Sequence, residues 1–339
     1  MRKIVILSII FTLLIIIAGC GNQELKGSEP SVSNSENNYP ITIKNVTKSE
    51  GGSEWSAKNQ VFKNPPERVL ATTRPVAELL LKLGLDESIV GVSANFGALD
   101  DSVASKFEKL NIISDTYIGK EVAVGTNPDL IIGRSDLFTN GDGRIGTVDS
   151  LNSMNINTYV LESSISGATY DTVYNDIENI GRIFNIPDVA TKFTNELKDK
   201  ASTIKEKLST IKEKKTFAYI HTNDPEQLRV EAISEDAFFN DAFHMINLEN
   251  ALINEKGDVS LEVLIEADPD IIIIPRWDDV TDLNKVRDEI YKNKKLASIK
   301  AIKNKGIHIV DYNYLFGYGY TTIYGMEQLA REVYPDSFK

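Results

Sequence analysis

The chain has a single cysteine, Cys20, and only three histidines, His221, His244 and His308, in 339 residues. One thiol excludes an intrachain disulfide, cysteine zinc sites and CxxC redox pairs. So few imidazoles leave little scope for a zinc or manganese centre, which draws on several histidines with supporting carboxylates. A basic excess is also missing: 49 Asp and Glu stand against 37 Lys and Arg, a net charge of −12. Phosphate recognition needs a basic face or stripe, so nucleic acid is not an expected partner. No GxSxG, HExxH or P-loop pattern occurs. The one GxGxxG, Gly141-Asp-Gly143-Arg-Ile-Gly146, stands apart from the nearest strand candidate by Arg134 to Asn140 and has no acidic residue twenty positions on. It reads as a surface loop.

What the chain does have begins at its N-terminus. Arg2 and Lys3 precede an almost wholly apolar run from Ile4 to Ala18. At ~1.5 Å per residue that run is short for a ~30 Å bilayer core and suits a signal-peptide h-region. It ends in Ile17-Ala18-Gly19-Cys20, which resembles a bacterial lipobox, with Cys20 as the lipidated residue. Residues 1–19 are therefore expected to be a lipoprotein signal peptide. Residues 20–38 are polar and without aromatics, expected as a lipidated cysteine and flexible tether. Cleavage before Cys20 removes Arg2 and Lys3 and takes the net charge to −14.

From residue 39 the pattern alternates between short β-rich runs and helical periodicity, the rhythm of open parallel sheets. Strand candidates are Arg68 to Thr73, Ile89 to Ser93, Asp129 to Gly133 and Ile156 to Leu161, then Thr216 to His221, Leu228 to Ile233, Asp270 to Ile274 and Gly306 to Asp311. Helices are expected over Arg74 to Gly84, with Pro75 at its first turn and Gly84 just past its end, over Val173 to Phe184, and over 236–246, 259–267, 283–293 and 322–332. Between the halves, residues 188–214 place Val189, Phe193, Leu197, Ile204, Leu208 and Ile211 at helical spacing on an otherwise polar segment. The expected fold is α/β: an N-terminal lobe over 39–187, a long inter-lobe helix over 188–214 and a C-terminal lobe over 215–339. Each lobe is a mainly parallel sheet flanked by helices.

The lobes share a motif. Glu121 lies seven residues before Pro128-Asp129, and Glu262 seven before Pro269-Asp270, with an apolar strand after each Pro-Asp. Helix, Pro-Asp and strand is common turn chemistry, but the added glutamate in both halves indicates two related lobes.

Lipobox, tether, PPERVLATTRPVAELLLKLG, EVAVGTNPDLIIG and SLEVLIEADPDIIII, in that order, resemble the substrate-binding lipoproteins of ABC importers that carry ferric siderophores, heme or cobalamin. The resemblance spans roughly residues 40–336. It implies a monomer with two α/β lobes on a stiff helix, ligand in the cleft between them, and no enzymatic activity. It implies no cofactor beyond the ferric chelate carried as ligand. It also implies a membrane permease as partner, docked through Glu121 and Glu262, and a lipid-anchored location on the outer face of the cytoplasmic membrane. The chain departs from the family's Gly-Gly-x-Asn turn, reading Phe243-His244-Met245-Ile246-Asn247-Leu248-Glu249-Asn250 there.

Ligands of open α/β sheets sit at the carboxyl ends of strands and between lobes. That places Thr72, Thr73, Arg74, Asn95, Phe96, Arg134, Ser135, Ser163, Ser164, His221, Thr222, Arg276, Trp277, Tyr312, Tyr314 and Tyr318 at the expected cleft. The ligand set carried forward is Thr73, Arg74, Phe96, Arg134, His221, Arg276, Trp277, Tyr312, Tyr314 and Tyr318. Three of ten arginines at strand ends suggest an anionic chelate, since guanidinium is a fixed fork of donors. The aromatics would cover a flat or greasy one, and Trp55 is expected to be remote from the cleft. Heme, with His221 or a tyrosine as axial ligand, and cobalamin remain open within the family. Outside it stand a surface-anchored metallochaperone or chelatase-like protein and an adhesin.

Overall fold

The computed structural model describes residues 38–277 and 281–339. The signal segment, Cys20 and all but the last residue of the tether lie outside the described residues. Among the described residues no helix is long and apolar enough to cross a membrane.

Two strands that the sequence reading did not identify come first. β1 (Ile41–Thr47) and β2 (Ser56–Phe62) form an antiparallel hairpin. Ile43 and Phe62 bury its inner face. Asn45 fixes it to the N-terminal lobe, donating to the Thr158 carbonyl at 2.8 Å and accepting from the Val160 amide at 3.0 Å.

The N-terminal lobe follows as β3 (Val69–Ala71), α1 (Arg74–Lys82), β4 (Ile89–Val92), α2 (Ala104–Phe107), α3 (Lys120–Gly125), β5 (Leu130–Gly133), α4 (Val148–Asn152), β6 (Asn157–Val160) and α5 (Asp171–Ile183). Its strands pair in the order β4-β3-β5-β6, all parallel. β3 and β5 are buried along their whole length, as expected where helices cover both sheet faces. α1 ends as its sequence predicts. Gly84 is left-handed at φ 75°, its amide bonds Leu81 O at 3.1 Å, and the Leu85 amide bonds Leu80 O at 2.9 Å, the paired bonds of a Schellman cap.

α6 (Pro187–Lys207) then crosses between the lobes. It ends at Lys207 rather than 214. Leu208 turns into the core, and the Asn247 side chain donates to the Leu208 carbonyl at 3.3 Å. The chain from 208 onward folds into turns that feed the next strand. The buried stripe is Ala190, Phe193, Leu197 and Ile204, whereas Val189 is exposed. α5 and α6 cross so closely that a Cβ at Gly181 would meet the Ala190 Cβ at 2.3 Å.

The C-terminal lobe comprises β7 (Lys215–His221), β8 (Arg229–Glu231), α7 (Ala237–His244), β9 (Leu248–Asn250), β10 (Asp258–Val259), α8 (Leu261–Ala267), β11 (Ile271–Arg276), α9 (Leu283–Lys292), α10 (Lys300–Lys303), β12 (Ile307–Asp311), α11 (Tyr312–Phe316) and α12 (Thr321–Val333). β9, β7, β11 and β12 run parallel, while β8 and β10 add antiparallel pairs at one edge. The order β9-β7-β11-β12 repeats β4-β3-β5-β6: second, first, third, fourth. Asn247, left-handed at φ 58°, makes the turn before β9 where the family pattern uses glycines. The core is continuous from lobe to lobe through α6, α12 and Tyr320. Phe193 of α6 meets Tyr320 with ring centroids 5.3 Å apart. A shared core of this kind resists wide separation of the lobes.

Candidate functional site

Parallel strands end on one edge of each sheet, and the two edges face each other. The segments after β3, β4 and β5 carry Thr73, Phe96 and Arg134. The segment that follows β12 supplies Tyr312, Asn313, Phe316 and Gly317. These residues line one central cavity of about 10 Å³, room for a single water at most. Two backbones here are strained: Ala94 at φ 47° and Tyr318 at φ 47°, a region non-glycine residues seldom adopt and one that clusters at functional sites.

Arg134 is the floor of the cleft and is 7% exposed. Its guanidinium donates to Tyr117 Oη at 2.7 Å, to the Phe316 carbonyl at 3.1 Å and to Tyr312 Oη at 3.3 Å, and lies 3.3 Å from an Asp136 carboxylate oxygen. Burial alone would lower its pKa; Asp136, Tyr312 and Tyr117 outweigh that and raise it. The same burial pushes the Tyr117 phenol up to about 12. Two of the guanidinium's bonds, to Tyr312 and Phe316, cross from one lobe to the other.

Above Arg134 the rings form a stack. Trp277 lies on Tyr312 at 4.0 Å between centroids and 30° between planes, and on His221 at 4.7 Å and 23°. Phe316 continues it, 5.5 Å from Tyr312 and 29° inclined. Phe96 meets Tyr312 edge-on at 6.4 Å. Such offset and edge contacts suit ring quadrupoles. Burial first, and then the charge of Arg229, lower the His221 pKa, so the imidazole is neutral near pH 7. Two buried groups in the cleft, the Thr73 hydroxyl and the Trp277 indole N–H, find no partner among the described residues. A buried polar group without a partner costs about 1–3 kcal/mol, and a ligand atom could relieve that.

The other residues expected at the cleft divide. Arg74 is engaged by the loop after β4. Its Nε donates to Asn95 Oδ1 at 2.7 Å, one terminal nitrogen to the Asn95 carbonyl at 2.8 Å and the other to the Gly97 carbonyl. It thereby pins the 95–97 loop of its own lobe. Arg276 is exposed at the end of β11. Its charge and that of Arg74 work against the burial that raises the Asp311 pKa. Tyr314 turns to α12, where a Cβ on Gly325 would fall 2.2 Å from its own Cβ. Tyr318 lies behind Arg134, 5.9 Å from ring centroid to guanidinium carbon, with its hydroxyl donating to Asp236 at 2.7 Å. Of the three strand-end arginines, Arg134 is buried and Arg276 exposed, and the charges of Arg74 and Arg276 both reach Asp311.

Sequence reasoning missed Tyr117, Phe316 and Asn313. Asn313 bridges the lobes, donating to the Phe96 and Ala98 carbonyls at 2.9 and 3.0 Å, beside the Asp311 carboxylate that accepts the Ala98 amide at 2.8 Å. Only proximity to β12 could have suggested it. Trp55 is not remote. It lines an interlobe groove of about 460 Å³ with Asp136, Asp236 and Tyr318. The glycine-rich 141–146 segment is a loop, as expected.

Glu121 and Glu262 occupy matching places. Each is the second residue of a short helix, α3 or α8, and each is exposed. Each helix leads through its Pro-Asp pair into a parallel strand of its own sheet, β5 or β11. Asn127 and Asp268, both left-handed at φ 52° and 42°, end the helices just before the Pro-Asp pairs. No group of three or more His, Cys, Asp or Glu placed to hold a metal ion occurs among the described residues.

A curated relative from Bacillus subtilis, named an uncharacterized ABC transporter substrate-binding lipoprotein, YvrC, is 24% identical over 335 residues, covering 96% of this chain and 95% of its own. A solved periplasmic binding protein from Veillonella parvula has a TM-score of 0.76 at 21% identity, covering 87% of this chain and 99% of that one. A solved chain from Saccharomonospora viridis, described as an ABC-type Fe3+-hydroxamate transport system, has a TM-score of 0.67 at 20% identity with coverage of 87% and 99%. The same α/β architecture recurs in both. With the family model for periplasmic binding proteins matching residues 69–314, the two-lobed chain with its strand-end cleft belongs to the periplasmic binding protein family.

Proposed function

We propose that this chain is the substrate-binding component of an ABC importer, a capture protein rather than an enzyme, whose ligand is an iron chelate held between the lobes. The observation that carries the reading is the convergence of both sets of strand ends on one aromatic stack, Trp277, Tyr312 and Phe316, over Arg134. Aromatic faces give contact area at low entropic cost, and the orphan Thr73 hydroxyl and Trp277 N–H would meet acceptor atoms of the chelate. Arg134 is already engaged by Asp136 and Arg74 by its own loop, so Arg276 is the strand-end arginine left exposed for an acidic group. The importer would hold the protein through Glu121 and Glu262, and a lipid on Cys20 would keep it at the membrane, working as a monomer.

The near-parallel stack from His221 to Phe316 also favours a second reading, a flat tetrapyrrole: heme or a corrin. Titration of a Trp55→Phe variant with ferric hydroxamates, ferric catecholates, hemin and cyanocobalamin, followed by Trp277 emission, separates them. Saturable quenching by a ferric siderophore that weakens on Arg276→Ala supports the iron-chelate reading. Saturation by hemin or cyanocobalamin alone replaces it with the second. Silence toward every probe overturns both.

A further inference from the structure

The central cavity is nearly filled, yet a groove of about 460 Å³ opens beside it, within the size range of small-ligand pockets. Its walls come from three parts of the chain. The hairpin tip between β1 and β2 supplies Lys48 and Trp55; the N-terminal lobe supplies Asp136; Asp236, Phe238 and Tyr318 complete it. The tip is held in place from two sides. Glu50 accepts from Asn140 at 2.6 Å, and Thr47 donates to Asp149 at 3.0 Å. Lys48 sits 5.7 Å from the Trp55 ring, and Trp55 packs against the apolar cluster of the N-terminal lobe.

Groove and cleft share a wall. Arg134 lines the central cavity while its ion-pair partner Asp136 lines the groove. Tyr318 is fixed between them at three points: its ring by Arg134, its hydroxyl by Asp236, and its carbonyl by the Ser163 hydroxyl at 2.7 Å. It holds a left-handed backbone to do so. Strain of that kind persists only where the surroundings impose it.

We infer that the groove is an accessory subsite, with the hairpin tip as a third wall of the binding site, and that it takes a peripheral organic arm of the captured chelate. The arm would lie on Trp55 and Tyr318 and present N–H or O–H donors, because three carboxylates, Asp136, Glu235 and Asp236, line the groove against one ammonium, Lys48. This rests on the proposed capture function and adds what that function leaves open: recognition of the ligand outside its metal core. The hairpin lies outside residues 69–314, the span matched by the family model, although the Bacillus subtilis relative aligns through it.

The test uses the full chain in detergent, with Trp277→Phe leaving Trp55 as the sole reporter and Trp55→Phe leaving Trp277. Two probe pairs differ by an arm: ferrioxamine B against ferric tris(acetohydroxamate), and cyanocobalamin against dicyanocobinamide. The expected result is that the armed member of one pair quenches both reporters and the armless member quenches Trp277 alone. Ser166→Trp, at an exposed position on the groove wall, should weaken the armed member about five- to tenfold, the scale of one lost aromatic contact, and leave the armless member unchanged. Quenching of Trp277 without any response at Trp55, or equal weakening of both members by Ser166→Trp, overturns the inference and leaves the capture function standing. Silence at both reporters toward all four probes, none of which is anionic, overturns the inference and leaves the capture function to the catecholate and hemin titrations above.

Discussion

Asp129 and Asp270 hold the same position in the two lobes and perform the same task. The Asp129 carboxylate accepts the Glu67 and Arg68 amides at 2.8 and 3.0 Å, just before β3. The Asp270 carboxylate accepts the Thr216 amide at 2.8 Å and its hydroxyl at 3.1 Å, at the start of β7. The registers agree: Leu130 pairs with Val69, and Ile271 with Phe217. In each lobe the residue after the proline thus clamps the first strand to the third. The Pro-Asp repeat is not a turn signal alone.

Removing that clamp should cost stability in either lobe. Asp270→Ala leaves the Thr216 amide without its acceptor, and Asp129→Ala leaves two amides. Loss of about 1–3 kcal/mol is expected for each, read as a lower urea midpoint with an unchanged slope. Midpoints equal to the parent would show that water replaces the carboxylate at no cost.

The paired glutamates lead to a functional test. Because Glu121 and Glu262 sit at equivalent exposed helix starts, away from the residues that line the central cavity, Glu121→Ala with Glu262→Ala should abolish uptake by cells while ligand affinity stays at the parental value. Exposed ion pairs contribute only about 0–1 kcal/mol each, so the loss would reflect register on the permease more than strength. Normal uptake in the double variant removes these residues from docking.

The buried carboxyl of Glu78 ties α1 to the interlobe seam. It is wholly buried and accepts the Asp100 amide at 3.0 Å, while Tyr320 of the other lobe donates to Asp100 at 2.7 Å. Burial raises its pKa to about 8 from an ordinary 4.5. A folded-state pKa above the unfolded one means that this contribution to stability is complete below pH 4.5 and is lost as pH rises through 8. Glu78→Gln should therefore gain on the parent steadily from pH 5.5 to pH 8.5 in urea midpoint. A difference that does not change with pH would falsify the assignment of a neutral Glu78.

Much of the fold was legible because it is local. Pro75 and Gly84 mark the ends of α1, the Val/Ile/Leu runs become buried parallel strands, and the two Pro-Asp units reveal the repeated lobe. Long-range partners were not legible. Arg74 and Arg134 sit at strand ends as expected, but whether a guanidinium faces the ligand or its own loop depends on Asn95, Gly97, Asp136 and Tyr117, none of which the sequence pairs with it. The hairpin escaped notice although ITIKNVT alternates, because SAKNQVF, its partner, is mostly polar. With the hairpin unseen, Trp55 had no reason to be near the cleft. The end of α6 was overrun because Leu208 and Ile211 keep the helical spacing while the chain is already turning toward β7.

The stack of His221 on Trp277 makes the cleft readable by pH. A protonated imidazole within 4.7 Å of the indole quenches its emission, whereas a neutral one does so far less. Burial and Arg229 hold the His221 pKa below the ordinary 6.5, so in the Trp55→Phe variant the Trp277 emission should stay flat from pH 8 to pH 6.5 and fall only at lower pH. Arg229→Ala removes the nearby positive charge and should move the midpoint upward; His221→Gln should erase the step. A midpoint at or above 6.5 would mean that the imidazole is solvated and not packed on the indole. Repeating the titration with a saturating ligand then reports on capture itself. A ligand that slides between the two rings abolishes the step, and one that covers the outer face of Tyr312 leaves it in place.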